Sequence, residues 1–361
     1  MNYELRIKIY EFRIRKVSTR KILYLLVIVL CGSCMRNTKT VKIQKKRDNI
    51  IYVREKVKEI EIEDVIISRR SQVYLIDNYL IINDQYFPFD KCIHLFDKND
   101  FSYVTSTGDR GPGPNELTIV GEIGVNEADR IFYVSDHGKV RIFKFDLDSV
   151  LADPNYYPKE SIKLDNTQFP SDYQYINDTL SIGLFILPIS NSDYRPSVAK
   201  WNMKTGKITL LNKYDHPEIE RKRVRFAVSM EHGIFVECYW HHDLMTICDL
   251  DGNLKYYIYG RKWDNTTQNR INFYNSVTFC KDKIVALYSD GENNFIREKN
   301  GVARANYPTK LIVFDLNGDY IKTLETGYQI INFCYDKDNH RIIMVLDDEI
   351  QFAYLSLEGI L

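Results

Sequence analysis

Short runs of apolar residues, separated by polar turns, alternate along most of the chain. Six of these runs are each followed by a similar Asx- or Gly-containing phrase, and most copies lead into another run of strand-forming residues. The copies begin at Asp97, Asp146, Asn202, Asp249, Asp315 and Ser356. A strand, a polar turn and a second strand make a β-hairpin. Hairpins repeated at this spacing indicate a radial or stacked repeat fold, and windows with apolar residues at helical spacing are nearly absent.

The hairpins can be arranged as six sheets of four strands, labelled A to D from the inside of a ring to the outside. The last sheet has no fourth strand before the chain ends, whereas a strand-like segment at residues 57–62 precedes the first sheet. We therefore predict an all-β fold, a six-bladed β-propeller with four-stranded antiparallel blades. The N-terminal strand closes the ring by pairing with the last blade, which removes an open seam with unpaired backbone groups.

The N-terminal 33 residues are typical of a bacterial lipoprotein signal peptide. A basic stretch precedes an apolar run at residues 22–30, which is too short to span a bilayer core of ~30 Å. The small residues Gly32 and Ser33 then precede Cys34, which predicts cleavage before Cys34 and lipid attachment to it. Cys34 also completes a C-x-x-C pair, but redox motifs of that kind lie in a βαβ unit rather than at the end of a leader.

These patterns divide the chain into three parts. We predict a signal peptide at residues 1–33, a polar tether at 34–49 and the propeller at 50–361. The whole chain has a formal net charge of zero, and the leader holds seven basic and two acidic residues, so the remainder is near −5. A mildly acidic domain has no general attraction for nucleic acid.

The propeller segment contains five cysteines, an odd number that cannot pair completely. They are Cys92, Cys238, Cys248, Cys280 and Cys334. Free cysteines in apolar strands behave as small buried hydrophobic residues. A disulfide between Cys238 and Cys248 on neighbouring strands is the alternative in an oxidising compartment.

A loop at residues 108–116 reads Gly-Asp-Arg-Gly-Pro-Gly-Pro-Asn-Glu. Together with the lipobox and the repeated hairpin phrase, it resembles the six-bladed propeller lipoproteins common in Bacteroidetes, the TolB-like and NHL-like group. The loop is one residue longer than the usual form in that group. The resemblance implies the fold and a place in the cell envelope. The tether lacks the acidic run that marks export to the outer surface in such lipoproteins, which favours a lipid-anchored, periplasm-facing protein.

Ligands of propellers usually bind at the mouth formed by the D–A crossovers and the B–C loops. The loop at residues 108–116 belongs there, and its glycines and prolines limit the entropy that it loses on binding. Its candidate ligand-binding residues are Asp109, Arg110 and Glu116. The alternative is that the glycines and prolines shape the crossover while Glu116 binds backbone amides.

Other loops at this mouth supply further candidates. His241 and His242 lie in the B–C loop of blade four, and adjacent residues on a strand point to opposite faces, so both bind one metal only if the loop bends. A hydrogen-bonding or acid–base histidine and a solvated loop are the alternatives. His137 and Arg195 hold corresponding places in blades two and three. The long insertion at residues 289–309 of blade five, with Asp290 and Arg297, has a length typical of functional loops.

The leading hypothesis is a lipid-anchored ligand-binding or protein-interaction module of the cell envelope that is not an enzyme. Its partners are the membrane, through the lipid, and an envelope protein, a peptide or a glycan. No cofactor is predicted. The alternative is a metal-dependent hydrolase or lyase of the lactonase type, in which carboxylate or Asn ligands from several blades hold a divalent cation at the channel mouth. The sequence contains neither a Gly-x-Ser-x-Gly elbow nor a His-Glu-x-x-His zinc motif.

Overall fold

Six antiparallel sheets form the blades of a propeller in the computed structural model. It describes residues 39–86, 91–153, 155–164, 169–177, 179–190, 193–211, 213–266, 270–297 and 301–361. In every blade the strands pair in the order A–B–C–D, and the A strands of successive blades face one another around a central channel. The predicted all-β, six-bladed propeller is confirmed.

The first three blades follow the chain from strand A outwards. Blade one contains Ser71–Ile76, Tyr79–Asp84, Lys91–Asp97 and Tyr103–Asp109. Blade two contains Val120–Asn126, Ile131–Asp136, Arg141–Asp146 and Glu160–Lys163. Blade three contains Phe169–Tyr175, Leu180–Pro188, Tyr194–Asn202 and Ile208–Leu210.

The next two blades follow the same plan. Blade four contains Val224–Ser229, Ile234–Tyr239, Leu244–Asp249 and Leu254–Tyr259. Blade five contains Ile271–Cys280, Lys283–Asn293, Lys310–Asp315 and Tyr320–Glu325. A separate hairpin, Phe295–Arg297 with Ala303–Ala305, extends from its B–C connection.

Blade six combines strands from both ends of the chain. Its A, B and C strands are Ile330–Asp336, Arg341–Leu346 and Phe352–Ser356, and its D strand is Val57–Glu59. Val57 pairs with Leu355 and Glu59 with Ala353 in antiparallel register. The predicted closure of the ring by an N-terminal strand is confirmed.

The chain before this closing strand runs along the outside of two other blades. Val41–Ile43 pairs in parallel with the D strand of blade four, and Ile50–Tyr52 pairs in parallel with the D strand of blade five. A 3-10 turn at Arg54–Lys56 then leads into blade six. We call residues 40–59 the N-terminal strap. The segment assigned to a tether from its polar composition, residues 34–49, therefore packs on the propeller from Thr40 onwards.

Four copies of the repeated phrase, those that begin at Asp97, Asn202, Asp249 and Asp315, form turns between strands C and D. The Asp249 Oδ1 atom accepts hydrogen bonds from the backbone N–H groups of Asp251 and Asn253 at 3.0 and 2.8 Å. Gly252, in the same turn, has a φ angle of +79°, a backbone conformation that residues other than glycine rarely adopt. These carboxylates thus satisfy backbone donors, as Asx turns do.

One copy of the phrase has a different structure from the predicted hairpin. Asp146 caps a short helix, Leu147–Ala152, and accepts a hydrogen bond from the Ser149 N–H at 2.8 Å. Leu147 and Val150 of this helix are buried against blades one and two. An Asp three residues before a free backbone N–H is an N-cap, and the pattern alone did not distinguish this cap from an Asx turn.

The apolar core is divided into clusters that lie largely between neighbouring blades. All five cysteines of the described residues are free. Cys238 pairs with Met245 across the B and C strands of blade four, whereas Cys248 pairs with Phe235. This register keeps Cys238 and Cys248 apart, so the structure has no disulfide between them. Among the residues described, no helix is both long and apolar enough to cross a membrane.

Candidate functional site: the central channel

A cavity of about 1120 Å³ follows the axis of the propeller. At one end it is lined by residues of the D–A crossovers and B–C loops, including Arg70, Tyr86 and Trp240. We call this end of the molecule the loop face. At the other end, the turn face, Glu127 and Lys337 line the cavity from the A–B turns of blades two and six. Their ion pair of 2.6 Å spans two blades that are not neighbours.

Each A strand contributes one polar side chain to the cavity near the loop face. These six side chains, one per blade, are called the polar ring: Gln72, Glu122, Asp172, Arg225, Asn275 and Asn332. The pairing of strands A and B is irregular at this level in blades two, three, five and six. A β-bulge changes the direction of a side chain, which explains how polar residues at this level reach the channel.

The neutral members of the polar ring are held by hydrogen bonds. The Oε1 atom of Gln72 accepts from the Tyr74 hydroxyl at 2.9 Å and from Gln85 Nε2 at 2.7 Å. Asn275 Oδ1 accepts from the Ser289 hydroxyl at 2.9 Å, and Asn332 Oδ1 accepts from the Val73 N–H at 3.2 Å. This part of the ring is therefore preorganised.

The charged members come from three consecutive blades, two, three and four. Burial and, after it, the nearby Asp172 carboxylate raise the pKa of Glu122 to about 8, although Tyr74 and Arg225 oppose the change. Burial likewise raises the pKa of Asp172 to about 7, against the attraction of Arg225. The two carboxyl groups titrate as a pair, so near neutral pH they share protons.

Arg225 is exposed to the channel although the blades enclose it on all sides. Its guanidinium lies over the Trp240 ring, 4.8 Å from the centroid. At the edge of the mouth, Arg70 lies over Tyr86 at 5.8 Å in the same way. In the part of the chain that the structure describes, neither guanidinium forms an ion pair or a hydrogen bond. Both are therefore available to a ligand.

The loop at residues 108–116 lies on the loop face but does not line the cavity. Glu116 Oε2 accepts a hydrogen bond from the Gly113 N–H at 2.7 Å, and Lys139 Nζ donates to the Glu116 carbonyl at 2.6 Å. Arg110 donates to the Asp84 carbonyl at 2.5 Å, and the end of strand D places Asp109 opposite Lys91. The hydrogen bond from the Gly113 N–H agrees with the alternative in which the glycines and prolines shape the crossover while Glu116 binds backbone amides.

The two histidines of blade four have different surroundings. His242 is buried, its Nδ1 lies 3.1 Å from the Asp264 carbonyl, and its ring packs on Trp263. His241 stacks on Trp240 with 5.1 Å between ring centroids, and its Nδ1 lies 2.9 Å from the Ile271 carbonyl. Burial lowers the pKa of both imidazoles. His241 thus supports the Trp240 ring that lines the channel, while His242 belongs to the core of the loop.

The remaining candidates are spread over the loop face. His137 is exposed and packs beside Phe169 at 5.8 Å, and Arg195 forms an ion pair with Asp215. Asp290 accepts a hydrogen bond of 2.6 Å from Arg261, which lies in the crossover between blades four and five. Arg297 is exposed on the hairpin of blade five. These four side chains do not converge, and the predicted lipidation site, Cys34, lies outside the described residues.

Within the described ranges, no group of three or more His, Cys, Asp or Glu side chains is placed to hold a metal ion. The polar ring holds two carboxyl groups beside a guanidinium, a donor set suited to hydrogen bonding and ion pairing. Sequence reasoning missed this ring because each member looks like one polar residue in an otherwise ordinary strand. The signal that could have found it is its recurrence, one polar residue at a similar level of every A strand.

Comparisons with known proteins agree with this architecture. Residues 37–180 match the model of the DUF5128 family, described as a 6-bladed beta-propeller. No curated protein sequence matches the chain significantly. The chain is similar in fold to a DUF4221 family member from Bacteroides vulgatus, with a TM-score of 0.57, 9% identity, and coverage of 83% of this chain and 95% of that one.

A second similar structure is a Bacteroides fragilis protein described as exported. Its TM-score is 0.51 at 10% identity, and the match covers 88% of this chain and 99% of that one. At such low identities these likenesses show the fold alone. The two structures and the family model together place the chain among β-propellers.

Proposed function

We propose that the protein is a lipid-anchored binding module of the bacterial cell envelope that docks an envelope protein on its loop face. The leader and Cys34 support the anchor, and the fold shared with a protein described as exported is in keeping with this location. The observation that carries the proposal is the distribution of exposed apolar side chains. A folded protein that concentrates such side chains on one face commonly uses that face to bind a partner.

Eight of the thirteen exposed large apolar side chains of the described residues lie on the loop face: Ile66, Tyr86, Ile119, Ile189, Tyr194, Phe295, Ile296 and Val302. Four others lie on the outer parts of the molecule, Ile50 and Tyr52 on the strap, Val104 on strand D of blade one and Tyr157 in the C–D connection of blade two. The turn face offers Met230, in the A–B turn of blade four. Three of the apolar residues extend from the B–C insertion of blade five, where Phe295 is 65% exposed and also lines the channel mouth.

Cationic side chains support two of the aromatic rings on this face. The Arg223 guanidinium lies 3.9 Å from the centroid of Tyr194 and also forms a 2.8 Å ion pair with Asp193. Arg70 lies over Tyr86. Aromatic and arginine side chains with fixed positions are the residues that contribute most to protein interfaces. The loop face therefore has the composition of a docking surface.

Site-specific photocrosslinking in cells tests the docking proposal. A photoreactive amino acid replaces Phe295 or Ile296 on the loop face, and replaces Met230 as the matched control on the turn face. We expect a discrete crosslinked envelope protein from the first two positions and none from Met230. Equal crosslinking at all three positions, or none at any, contradicts the proposal.

The lipid anchor is tested separately by labelling cells with a palmitate analogue. We expect the wild-type protein and the Cys31→Ala variant to be labelled and the Cys34→Ala variant to remain unlabelled and leave the membrane fraction. Equal labelling of the wild type and Cys34→Ala rejects the anchor without affecting the docking proposal. The lactonase-type hydrolase stays the alternative; among the described residues no group of three or more His, Cys, Asp or Glu side chains is placed to hold its cation.

A further inference from the structure

We propose that the central channel binds a zwitterionic small molecule, such as an amino acid or a short peptide with free termini, at the polar ring. Arg225 holds its carboxylate, and the Glu122–Asp172 pair holds its ammonium group. The site is distinct from the proposed docking surface and shares only the channel mouth with it. The inference therefore deepens the proposed binding function by naming a ligand class, and it can fail while docking stands.

The carboxylate end of the site is built around Arg225. A guanidinium presents several donors in a planar fork that matches a carboxylate, and stacking on an aromatic ring fixes its plane. Arg225 lies 4.8 Å from the Trp240 centroid and borders the cavity. It has no hydrogen bond or ion pair to any residue in the described ranges. An arginine that is enclosed, stacked and unpaired is preorganised for an anionic group that comes from outside the chain.

The ammonium end consists of the two carboxyl groups on the neighbouring blades. Gln72 Nε2 lies 3.4 Å from Glu122 Oε2, a long and therefore weak hydrogen bond. The titratable and charged groups around the pair are Tyr74 on blade one, Tyr173 on blade three and Arg225 on blade four. His137 lies beside Gly121, next to Glu122. Among these groups Arg225 is the one permanent cation, and a single guanidinium cannot neutralise both carboxylates.

The charge of the ring determines which ligand fits it. Two ionised carboxylates and one guanidinium leave one negative charge in an enclosed channel, where like charges repel strongly. In the free protein a shared proton relieves this repulsion, as the raised pKa values of Glu122 and Asp172 indicate. A ligand ammonium group can take the place of that proton, while the ligand carboxylate meets Arg225. A purely anionic or purely cationic ligand satisfies only one end.

The cavity is large enough for such a ligand. Its volume of about 1120 Å³ exceeds that of many small-molecule pockets, which range from roughly 300 to 1000 Å³. The neutral members of the ring, Gln72, Asn275 and Asn332, line the side that completes the circle, and Ser276 lines the cavity next to Asn275. These amides and this hydroxyl can bind the peptide groups of a short peptide.

Three linear probes test the ligand class on the full chain purified from membranes in detergent. They are 6-aminohexanoate, which carries both charges, hexanoate, which carries only the carboxylate, and hexylamine, which carries only the ammonium group. Glycine and 4-aminobutyrate vary the distance between the charges, and dialanine tests a peptide. Isothermal titration calorimetry at pH 7.5 measures each affinity. We expect at least one zwitterion to bind about tenfold or more tightly than both singly charged probes, since a hydrogen bond to a charged group contributes on this scale.

Two variants test the residues assigned to the site. Arg225→Gln and Glu122→Gln should each weaken zwitterion binding about tenfold or more, without loss of the folded state in a thermal melt. The matched control is Arg54→Gln on the strap, because Arg54 also stacks on an aromatic ring, Tyr328, but donates to the Gly327 carbonyl at 2.9 Å and does not line the cavity. Its affinity should equal that of the wild type.

Proton release gives a readout that does not depend on any variant. When the ammonium group displaces the shared proton, the binding enthalpy must change with the ionisation enthalpy of the buffer, and the affinity must rise from pH 6 to pH 8.5. For this measurement 6-aminohexanoate is used, because its amine resembles that of lysine, with a pKa of about 10.4, and stays cationic over this range. Equal affinity for all three linear probes, no binding of any zwitterion, or binding without proton release would overturn the proposal. Crosslinking at Phe295 is unaffected by any of these results.

Discussion

Arg47 and Asp243 form a buried ion pair with 2.7 Å between Nη1 and Oδ1, and it joins the N-terminal strap to the B–C loop of blade four. The two residues lie 196 positions apart in the chain. The Tyr274 and Tyr288 hydroxyls donate to the same carboxylate at 3.3 and 3.2 Å, and the guanidinium lies over the rings of Tyr288 and Phe314. The strap is thus anchored between blades four and five, beyond its strand pairing.

Replacing Arg47 by alanine should destabilise the propeller strongly. The change leaves the Asp243 carboxylate buried without its cation, and breaking a buried pair in this way costs about 3–5 kcal/mol. Urea unfolding of Arg47→Ala against the wild type measures the difference. The matched control is Lys42→Ala on the same strap, because the Lys42–Asp319 pair is partly exposed and such pairs contribute about 0–1 kcal/mol. Similar losses in both variants would show that the buried pair has no special role.

The strap illustrates what sequence reasoning can and cannot predict here. The blades were predictable because every hairpin repeats the same local pattern, and the closing strand alternates charged and apolar residues as an outer strand does. The segment around Arg47 is polar and basic, so its composition indicated a tether. Its place in the fold depends on long-range contacts, of which the pair with Asp243 is buried, and on two short parallel strands. None of these leaves a local pattern in the sequence.

The five thiols should all react when the unfolded protein is alkylated without a reductant. Cys238 and Cys248 are free because the strand register places Met245 and Phe235 opposite them. Mass spectrometry of the protein, alkylated in denaturant with and without prior reduction, should give the same number of modified cysteines in both samples. Two additional modified thiols after reduction would reveal a disulfide and contradict this register.

Asp136 should make the fold sensitive to acid. Burial by itself would raise the pKa of this carboxyl, but hydrogen bonds from the Thr118 hydroxyl and from the backbone of Thr118, Ile119 and Lys139 lower it. A carboxyl whose pKa is lower in the folded state stabilises the fold above its unfolded pKa of about 3.9, and this contribution is lost as the pH falls.

The expected result is a weaker acid dependence in Asp136→Asn. Its stability at pH 7 should be lower than that of the wild type, and the difference should shrink between pH 5 and pH 2. Asp251→Asn, in an exposed C–D turn, is the control and should follow the wild-type curve. Chemical unfolding across this pH range checks both variants, and parallel curves for Asp136→Asn and the wild type would refute the assignment.

The candidate site was less predictable than the fold. The loops at residues 108–116 and 289–309 and the His241–His242 pair drew attention because they depart from the repeat. Glu122 and Asp172 drew none, since each is a single acidic residue of a strand and neither belongs to a recurring motif. Only the closed ring brings the A strands of three blades together, so the coupling of Glu122, Asp172 and Arg225 is a property of the topology. Trp240, next to the predicted histidines, was the nearest local clue.

The Glu122–Asp172 pair should make the protein less stable as the pH rises, opposite to the effect of Asp136. Because the folded pKa of Glu122, about 8, lies above the unfolded value of about 4.3, protonation favours the folded state. That stabilisation is complete below the unfolded pKa and is lost as the pH rises towards 8. Glu122→Gln carries no such charge, so its melting temperature relative to the wild type should increase between pH 5 and pH 8.5 by roughly 2 °C or more.

Glu116→Gln, which removes a carboxylate from the crossover loop instead, is the control. A difference between Glu122→Gln and the wild type that does not change with pH would mean that the channel carboxyls are ionised and independent, and that water in the channel solvates both.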